Sequence, residues 1–517
     1  MKVKIIPLVG DLRENAYQLG LAEKDAFMAL EERISRLLSK NLLLRQGQDI
    51  LTRARARLGR EKPTAFTAVI QGYAEGMGIE PSRYHAFLSL FEVAAHYGQI
   101  FPELKAMIPG CTSYFQKSGD EILHARLIDF PLTGILDHSP TLYLWQGEAR
   151  PTLMNFSAPG LAPVFFQAIH ASGVSVAVHH KPGTLYHREG QGIFQMVFDS
   201  LIEARTSADV KQLLKKKDSV TKWGVLTLDR DGKVDALDVE GPTQKWESFR
   251  LSDSPSLLFT NLPLQKESSG FDSYLQFTES REKWIREKLK APGQTHLLDL
   301  LLDVEDQREK NWLHPAGTLS TTGALLVNLT QGTVDIKTGD GALTTSDEIL
   351  RFSLADQDDR KVLRKARAPG AFEKAWKRAS LAQAHFDEGK YDLAYHELQM
   401  SIALMPNARW KNILRFYLCL WDFRFVGNSR ELADVYKRVL TLELHGNLRA
   451  QALLLRMRLE RRLGLSPTVE ARDLPPYLQE LFREEKLARG PLFSTWMNLL
   501  YPRMEILDVL APHMKQG

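Results

Sequence analysis

Apolar positions keep a helical rhythm at both ends of the chain and lose it in the middle. Between Glu14 and Leu38, residues Leu19, Phe27, Leu30, Ile34 and Leu37 fall at helical spacings, which predicts an amphipathic helix. A second helix is predicted over Ala65–Gly76. A third begins after Pro81, because a proline ring fits the first helical turn, where its missing N–H costs no hydrogen bond. This helical stretch closes at Met107-Ile108-Pro109-Gly110.

The rhythm then becomes that of strands. Short β-prone runs are predicted at Thr112–Gln116, Ile122–Ile128, Thr141–Trp145, Val174–His179, Gly224–Leu228, Val234–Val239, Ser256–Thr260, Leu325–Leu329 and Val334–Ile336. Ser118-Gly119-Asp120 separates the first two, and Arg230-Asp231-Gly232 between two apolar runs marks a hairpin. Helical patterns interrupt the strands at about 192–206, 207–217, 279–290 and 295–305. Hairpins with helices between them predict an α+β region of layered antiparallel sheets covered by helices, not a doubly wound parallel sheet. No glycine-rich phosphate loop or dinucleotide fingerprint is present.

From about residue 350 the helical rhythm returns. Ala382, Phe386, Glu388-Gly389-Lys390-Tyr391, Ala394, Leu398, Ser401 and Pro406 have the spacing of one tetratricopeptide-like unit at about 375–407. Later helices, at about 410–420, 430–443 and 446–462, carry no equally clear copy. The expected division is a helical region 1–110, an α+β region 111–345 and a helical region 346–517. The last reads as a structural appendage or as a surface for a protein partner.

Composition narrows the function. The 67 basic and 63 acidic residues leave a net charge of only +4 on 517 residues, which gives no footprint for nucleic acid. The cluster Lys211, Lys215, Lys216 and Lys217 reads as a solvated helix end. Two cysteines, Cys111 and Cys419, exclude a disulfide framework. The apolar run before Asp11 and Arg13 is short for a secretory signal, and no run of 18 uncharged apolar residues occurs, so a cytoplasmic protein without a membrane span is expected. No metal-binding motif of useful spacing appears, and no cofactor is expected.

Candidate chemistry centres on Cys111, which opens the strand-rich region. Arg126 lies fifteen residues beyond it and Asp129 three further, and the turn at Gly119-Asp120 brings both back beside the cysteine. Alternation puts Arg126 and Ile128 on one face and Asp129 on the other, so Asp129 has to sit where the strand ends or bends. A nearby cation favours the thiolate, the reactive form of cysteine. A cut before Cys111 would place an α-amine of pKa roughly 7.7–8.0 beside the thiol, close to what a general base needs. Asp129 would orient it. The alternative is an inert buried thiol beside an incidental ion pair, and His124, on the Arg126 face, reads as structural.

The segment Gly110–Phe130, GCTSYFQKSGDEILHARLIDF, resembles the penicillin acyltransferase-like family, whose relatives include choloylglycine hydrolases and acid ceramidase-like amidases. Upstream, Tyr17-Gln18-Leu19-Gly20 and Ala74-Glu75-Gly76-Met77-Gly78-Ile79 resemble the family's pre-cleavage region. Downstream, Phe259-Thr260-Asn261 resembles its oxyanion-hole strand end, Ser280-Arg281 the helix with an active-site arginine, and Asp238 and Glu240 its acidic strand end. The resemblance covers roughly residues 5–340. It implies a four-layer αββα N-terminal nucleophile hydrolase that cuts itself at Gly110–Cys111. It also implies attack on a small-molecule acyl amide through a thioester, with Cys111, Arg126, Asp129, Asn261 and Arg281 as catalytic residues. Relatives often have Arg-Asn-x-Asp-Trp where this chain has Arg126-Leu127-Ile128-Asp129-Phe130. Where choloylglycine hydrolases carry an asparagine donor, this chain has His180, beside His179, which places His180 at the pocket rim. Phe130, Phe165, Phe166 and Tyr186 stand near the presumed mouth and would favour an apolar acyl group, or they are core residues. Two rival functions are a phospholipase B-like ester or lipid hydrolase and a non-catalytic scaffold with a partner-binding helical tail.

Overall fold

The computed structural model describes residues 3–39, 63–92, 110–130, 133–147, 150–181, 183, 185–265, 272–289, 296–303, 316–354, 359–475, 479, 482–483 and 485–486. Within them the chain is α+β, with helical regions at both ends flanking a mixed β-sheet core. Residues 107–109, where the first helical stretch was expected to close, lie outside the described residues.

Helices α1 (Leu12–Ser39), α2 (Ala65–Met77) and α3 (Pro81–Leu88) form where the apolar spacing predicts them. Thr64 caps α2, its hydroxyl accepting from the Thr67 N–H at 3.2 Å, and Gly78 ends it at φ 71°. Helices α1 and α2 meet backbone to backbone. A Cβ on Gly20 would lie 2.1 Å from the Tyr73 carbonyl oxygen, and one on Gly76 2.0 Å from that of Tyr17. Only glycine permits that approach, which gives a packing reason for both glycine-containing segments singled out upstream.

The N-terminal region is not wholly helical. Lys4–Val9 forms strand β1, paired in parallel with β4 (Thr141–Gly147). Six residues carry too little periodicity to announce a strand. Pro7, with no N–H to donate, fits its position at the sheet edge. Buried Glu23 of α1 ties the region down further. Its carboxylate accepts from the Tyr143 hydroxyl of β4 at 2.8 Å and from the Gly160 N–H at 3.0 Å.

The remaining strands are β2 (Gly110–Ser118), β3 (Glu121–Asp129), β5 (Arg150–Ser157), β6 (Gln167–His170), β7 (Val174–His180), β8 (Lys222–Asp229), β9 (Lys233–Glu240), β10 (Thr243–Arg250), β11 (Ser256–Phe259), β12 (Thr321–Asn328), β13 (Thr333–Thr338), β14 (Glu348–Ser353) and β15 (Arg360–Arg364). One sheet has the order β1-β4-β5-β6-β7-β8-β9-β10 and the other β11-β2-β3-β12-β13-β14-β15. Gly119 (φ 60°) and Gly232 (φ 74°) sit in the turns of the predicted β2–β3 and β8–β9 hairpins. Strands β5, β6, β10, β14 and β15 were not predicted. β10 and β15 are half-exposed or exposed edges, whose charged residues hide the apolar alternation. With β14 and β15 the second sheet continues to Arg364, past the boundary expected at 345.

Helices α4 (Ile193–Glu203) and α5 (Ser207–Leu214) join α1–α3 on the first sheet. Their shared core also takes in Phe115, Ile128 and Val327 of the second sheet. The opposite face of the second sheet, with Tyr114, Leu127 and Leu258, packs on Trp284 and Ile285 of α6 (Asp272–Lys288) and Leu298 of α7 (Leu297–Leu301). Alternation therefore sends odd-numbered β2 residues toward the first sheet and even-numbered ones toward α6 and α7. The C-terminal helices α8 (Ala371–Asp387), α9 (Tyr391–Leu404), α10 (Ala408–Phe425), α11 (Ser429–Leu440) and α12 (Gly446–Arg462) have a core of their own around Trp376, Phe386 and Trp421. Ala382 and Ala394 are fully buried between α8 and α9, whose turn contains Gly389 at φ 76°. No helix among the described residues is long and apolar enough to cross a membrane.

Candidate active site

Cys111 is the second residue of β2 and faces Ile128 across the β2–β3 ladder, so its side chain shares a face with Ile128 and Arg126. The edge strand β11 stops at Phe259, opposite Ser113, two residues short of Cys111. Beyond that point side chains replace the missing strand. The Cys111 N–H donates to Asn261 Oδ1 at 2.9 Å, and the Cys111 carbonyl accepts from Arg281 Nη2 at 3.2 Å. Arg281 Nη2 also donates to Asn261 Oδ1 at 2.7 Å, and Arg281 Nη1 to Asp129 Oδ2 at 2.7 Å. The second Asp129 oxygen accepts from the Thr321 hydroxyl at 2.5 Å.

The five predicted catalytic residues therefore come together, but in two groups. Arg126 lies on the thiol side, where its charge favours the thiolate. Asp129 ends β3 beside a bulge in β12 and faces the other way, as alternation requires. There it pairs with Arg281, which in turn holds the Cys111 carbonyl. Gly110 completes this side. A Cβ there would lie 2.8 Å from Asp129 Oδ2 and 3.4 Å from Arg281 Nη1, so the carboxylate and the guanidinium fill the space of a side chain.

Asn261 also holds the backbone of Cys111. Two donors, the Cys111 N–H and Arg281, converge on one oxygen, which fixes the orientation of the amide. Its nitrogen is committed to the His180 carbonyl at 2.8 Å. Asn261 thus holds the Cys111 nitrogen by acceptance, and one N–H of its amide is not used by the His180 carbonyl.

Three cations pull the Cys111 thiol toward ionisation: Arg126, Arg281 and Lys181. Burial is larger and opposes them, and Asp129 adds to it, so the thiol is pushed up to about 11. Burial also raises Asp129 above the usual carboxylate range, against Arg281, the Thr321 hydroxyl and Arg126. Cys111 is 0% exposed. At neutral pH burial therefore favours the protonated thiol.

Sequence reasoning missed three neighbours. Ser113 Oγ accepts from Arg126 Nη1 at 3.1 Å and lies 2.9 Å from His179 Nε2. His179 Nε2 also meets Arg126 Nη1. Arginine can only donate, so that nitrogen accepts and the imidazole is neutral; burial and Arg126 hold its pKa well below the ordinary value. Arg126 Nη2 donates to the Val178 carbonyl at 2.5 Å. Thus His179, not His180, faces the arginine. His180 is buried, with its ring edge-on to Trp223 at 5.6 Å. Thr321, the third, carried no signal beyond a polar Ser320-Thr321-Thr322 run. His124 bonds Ser175 at 2.8 Å and Ser113 at 3.1 Å in the seam between the sheets, a structural position.

Phe130, Phe165 and Phe166 are buried in the main core, where Phe130 and Phe166 pack at 5.4 Å and Phe165 stacks on Phe198 at 5.8 Å. Tyr186 is partly buried against the same core. A cavity of about 500 Å³ lies away from these residues, between α1 (Arg33, Arg36), the 134–139 loop (His138) and the α8–α9 turn (Glu388, Lys390).

No protein-family profile matches the chain, and no curated protein does. Among solved structures it is similar to penicillin V acylase from Agrobacterium tumefaciens, at 9% identity and a TM-score of 0.30 over 50% of this chain and 99% of that one. It is also similar to a variant of conjugated bile acid hydrolase from Clostridium perfringens, at 11% identity and a TM-score of 0.29 over the same shares of the two chains. The likeness is distant, and no residue role follows from it.

Proposed function

We propose that the chain is a cysteine hydrolase or acyltransferase of the N-terminal nucleophile kind, with an αββα core, that cuts itself at Gly110–Cys111 and then acts on a linear non-peptide amide. One observation carries this reading. At the end of a shortened strand, both backbone groups of Cys111 are held by side chains 150 and 170 residues away, next to a glycine whose side-chain space is filled. An incidental buried thiol has no need of that arrangement.

In the cutting step the Cys111 sulfur adds to the Gly110 carbonyl carbon and gives up its proton. The Gly110–Cys111 C–N bond breaks, and the nitrogen leaves as an amine, taking up a proton. A thioester now joins Gly110 to the sulfur. Water adds to it, releasing the Gly110 carboxylate and restoring the thiol. The new α-amine, at an unperturbed pKa of roughly 7.7–8.0, is then available as the base. In turnover it takes the thiol proton as sulfur attacks the acyl carbonyl, and passes that proton to the leaving amine. Water or a second amine receives the acyl group. Asn261 Oδ1, already set on the Cys111 nitrogen, keeps the amine in place. Arg126 stabilises the thiolate, and Asp129 and Arg281 hold the strand end.

A second reading, a non-catalytic scaffold, is favoured by the complete burial of Cys111 and its raised thiol pKa. N-terminal sequencing of purified full-length protein separates the two. A fragment beginning Cys-Thr-Ser-Tyr supports the enzyme; protein that starts only at Met1 and neither hydrolyses an amide nor transfers its acyl group to an amine supports the scaffold.

A further inference from the structure

Lys181, which follows the last residue of β7, is 2% exposed. Its ammonium donates to the Thr260 carbonyl at 3.2 Å and to the Leu262 carbonyl. These carbonyls flank Asn261, whose own side-chain nitrogen donates to the carbonyl of His180. Residues 180 and 181 thus grip residues 260, 261 and 262 by three bonds. Asp238 of β9 supplies the countercharge at 3.6 Å, and its other oxygen accepts from the Leu264 N–H at 2.7 Å. Gly224 of β8 leaves the room, since a Cβ there would lie 2.5 Å from Lys181 Cε. A buried ion pair is a weak source of stability, and apolar residues of similar volume often replace one without loss. Stability alone does not account for this one. Its geometry does: one ammonium bridges the two carbonyls on either side of a single side chain.

We propose that Lys181 is a positioning residue for self-cleavage, fixing the 260–264 turn with Asp238 so that Asn261 Oδ1 meets the Cys111 nitrogen. This rests on the function proposed above. Lys181 touches no reacting atom; besides the pull of its charge on the thiol, it acts through Asn261.

The test is a pulse–chase of the full chain in cell-free translation, following the fragment that starts at Cys111, alongside the thermal midpoint. Lys181→Met keeps the stem and removes the ammonium; it should cut at least tenfold more slowly. Lys181→Met with Asp238→Asn removes the stranded charge; its thermal midpoint should recover while cutting stays slow. Gly224→Ala displaces the ammonium with both charges kept and should slow cutting several-fold. A double variant that regains its cutting rate together with its midpoint would show a purely structural pair and overturn the proposal. So would wild-type cutting by Lys181→Met, or by Gly224→Ala if Lys181→Met does not fold. A wild-type chain that never cuts overturns the parent function as well, whereas normal cutting with indifferent variants overturns this inference alone.

Discussion

The surroundings of the two cysteines treat the thiol alike and the backbone differently. Cys419 lies inside α10, where its peptide groups belong to the helical ladder. Burial pushes its thiol up to about 12, Arg438 opposing and Asp422 assisting. Burial likewise dominates at Cys111, which reaches about 11 despite three nearby cations. Proton affinity therefore does not single out a nucleophile. The backbone distinguishes the two: at Cys111 a strand ends early and remote side chains take its place, whereas Cys419 lies within a helical ladder. Under the function proposed above, what holds the peptide bond of Cys111 matters more than its proton affinity.

The largest expected difference is in cutting. Cys111→Ala should leave one intact chain, and Cys419→Ala should cut at the wild-type rate, as read by denaturing electrophoresis and N-terminal sequencing. Cutting in Cys111→Ala would dissolve the contrast.

The next is in stability. In an uncut Cys111→Ala background, Arg281→Met leaves Asp129 buried without its guanidinium and should cost about 3–5 kcal/mol in urea denaturation. Arg438→Met near Cys419 breaks a pair whose arginine is 45% exposed and should cost at most about 1 kcal/mol. Equal losses would mean that the backbone side of Cys111 is no more tightly built than an ordinary surface pair.

The smallest concerns pH. A buried thiol stabilises the fold only while protonated, so its contribution is complete below the ordinary value of 9.0. It is lost as pH rises through about 11 for Cys111 and about 12 for Cys419. Iodoacetamide labelling of newly made full-length chain, mapped by mass spectrometry, should modify Cys111 at a lower pH than Cys419. The reverse order would contradict the role given to the surrounding cations.

The sequence makes the periodic parts of the fold legible. Helices α1 and α2 and the β2–β3 hairpin follow from apolar spacing and from one turn glycine, and that hairpin alone brings Arg126 and Asp129 to Cys111. Polar edges such as β10 and β15 stay hidden because sheet pairing, not burial, makes them strands. The choice between His179 and His180 depends on the register of β7 against β8, and a shift of one residue exchanges the faces. Lys181 looks like a surface lysine until the turn it binds, about 80 residues later, is in place. The orientation of Asn261 depends on two donors brought from separate elements. Phe130, Phe165 and Phe166 show the limit of reading a pocket from aromatic content, since a core of this size needs the same residues.

Strand β1 has a consequence for the life of the molecule. It is built into the same sheet as residues far beyond Cys111, and α1 is tied to that sheet through Glu23. Scission ahead of Cys111 would therefore turn one polypeptide into an interlocked pair instead of shedding a leader. Melting would become dissociation, with a midpoint that rises with protein concentration. Recovery would require two strangers to find each other. Such a protein folds once, while still tethered.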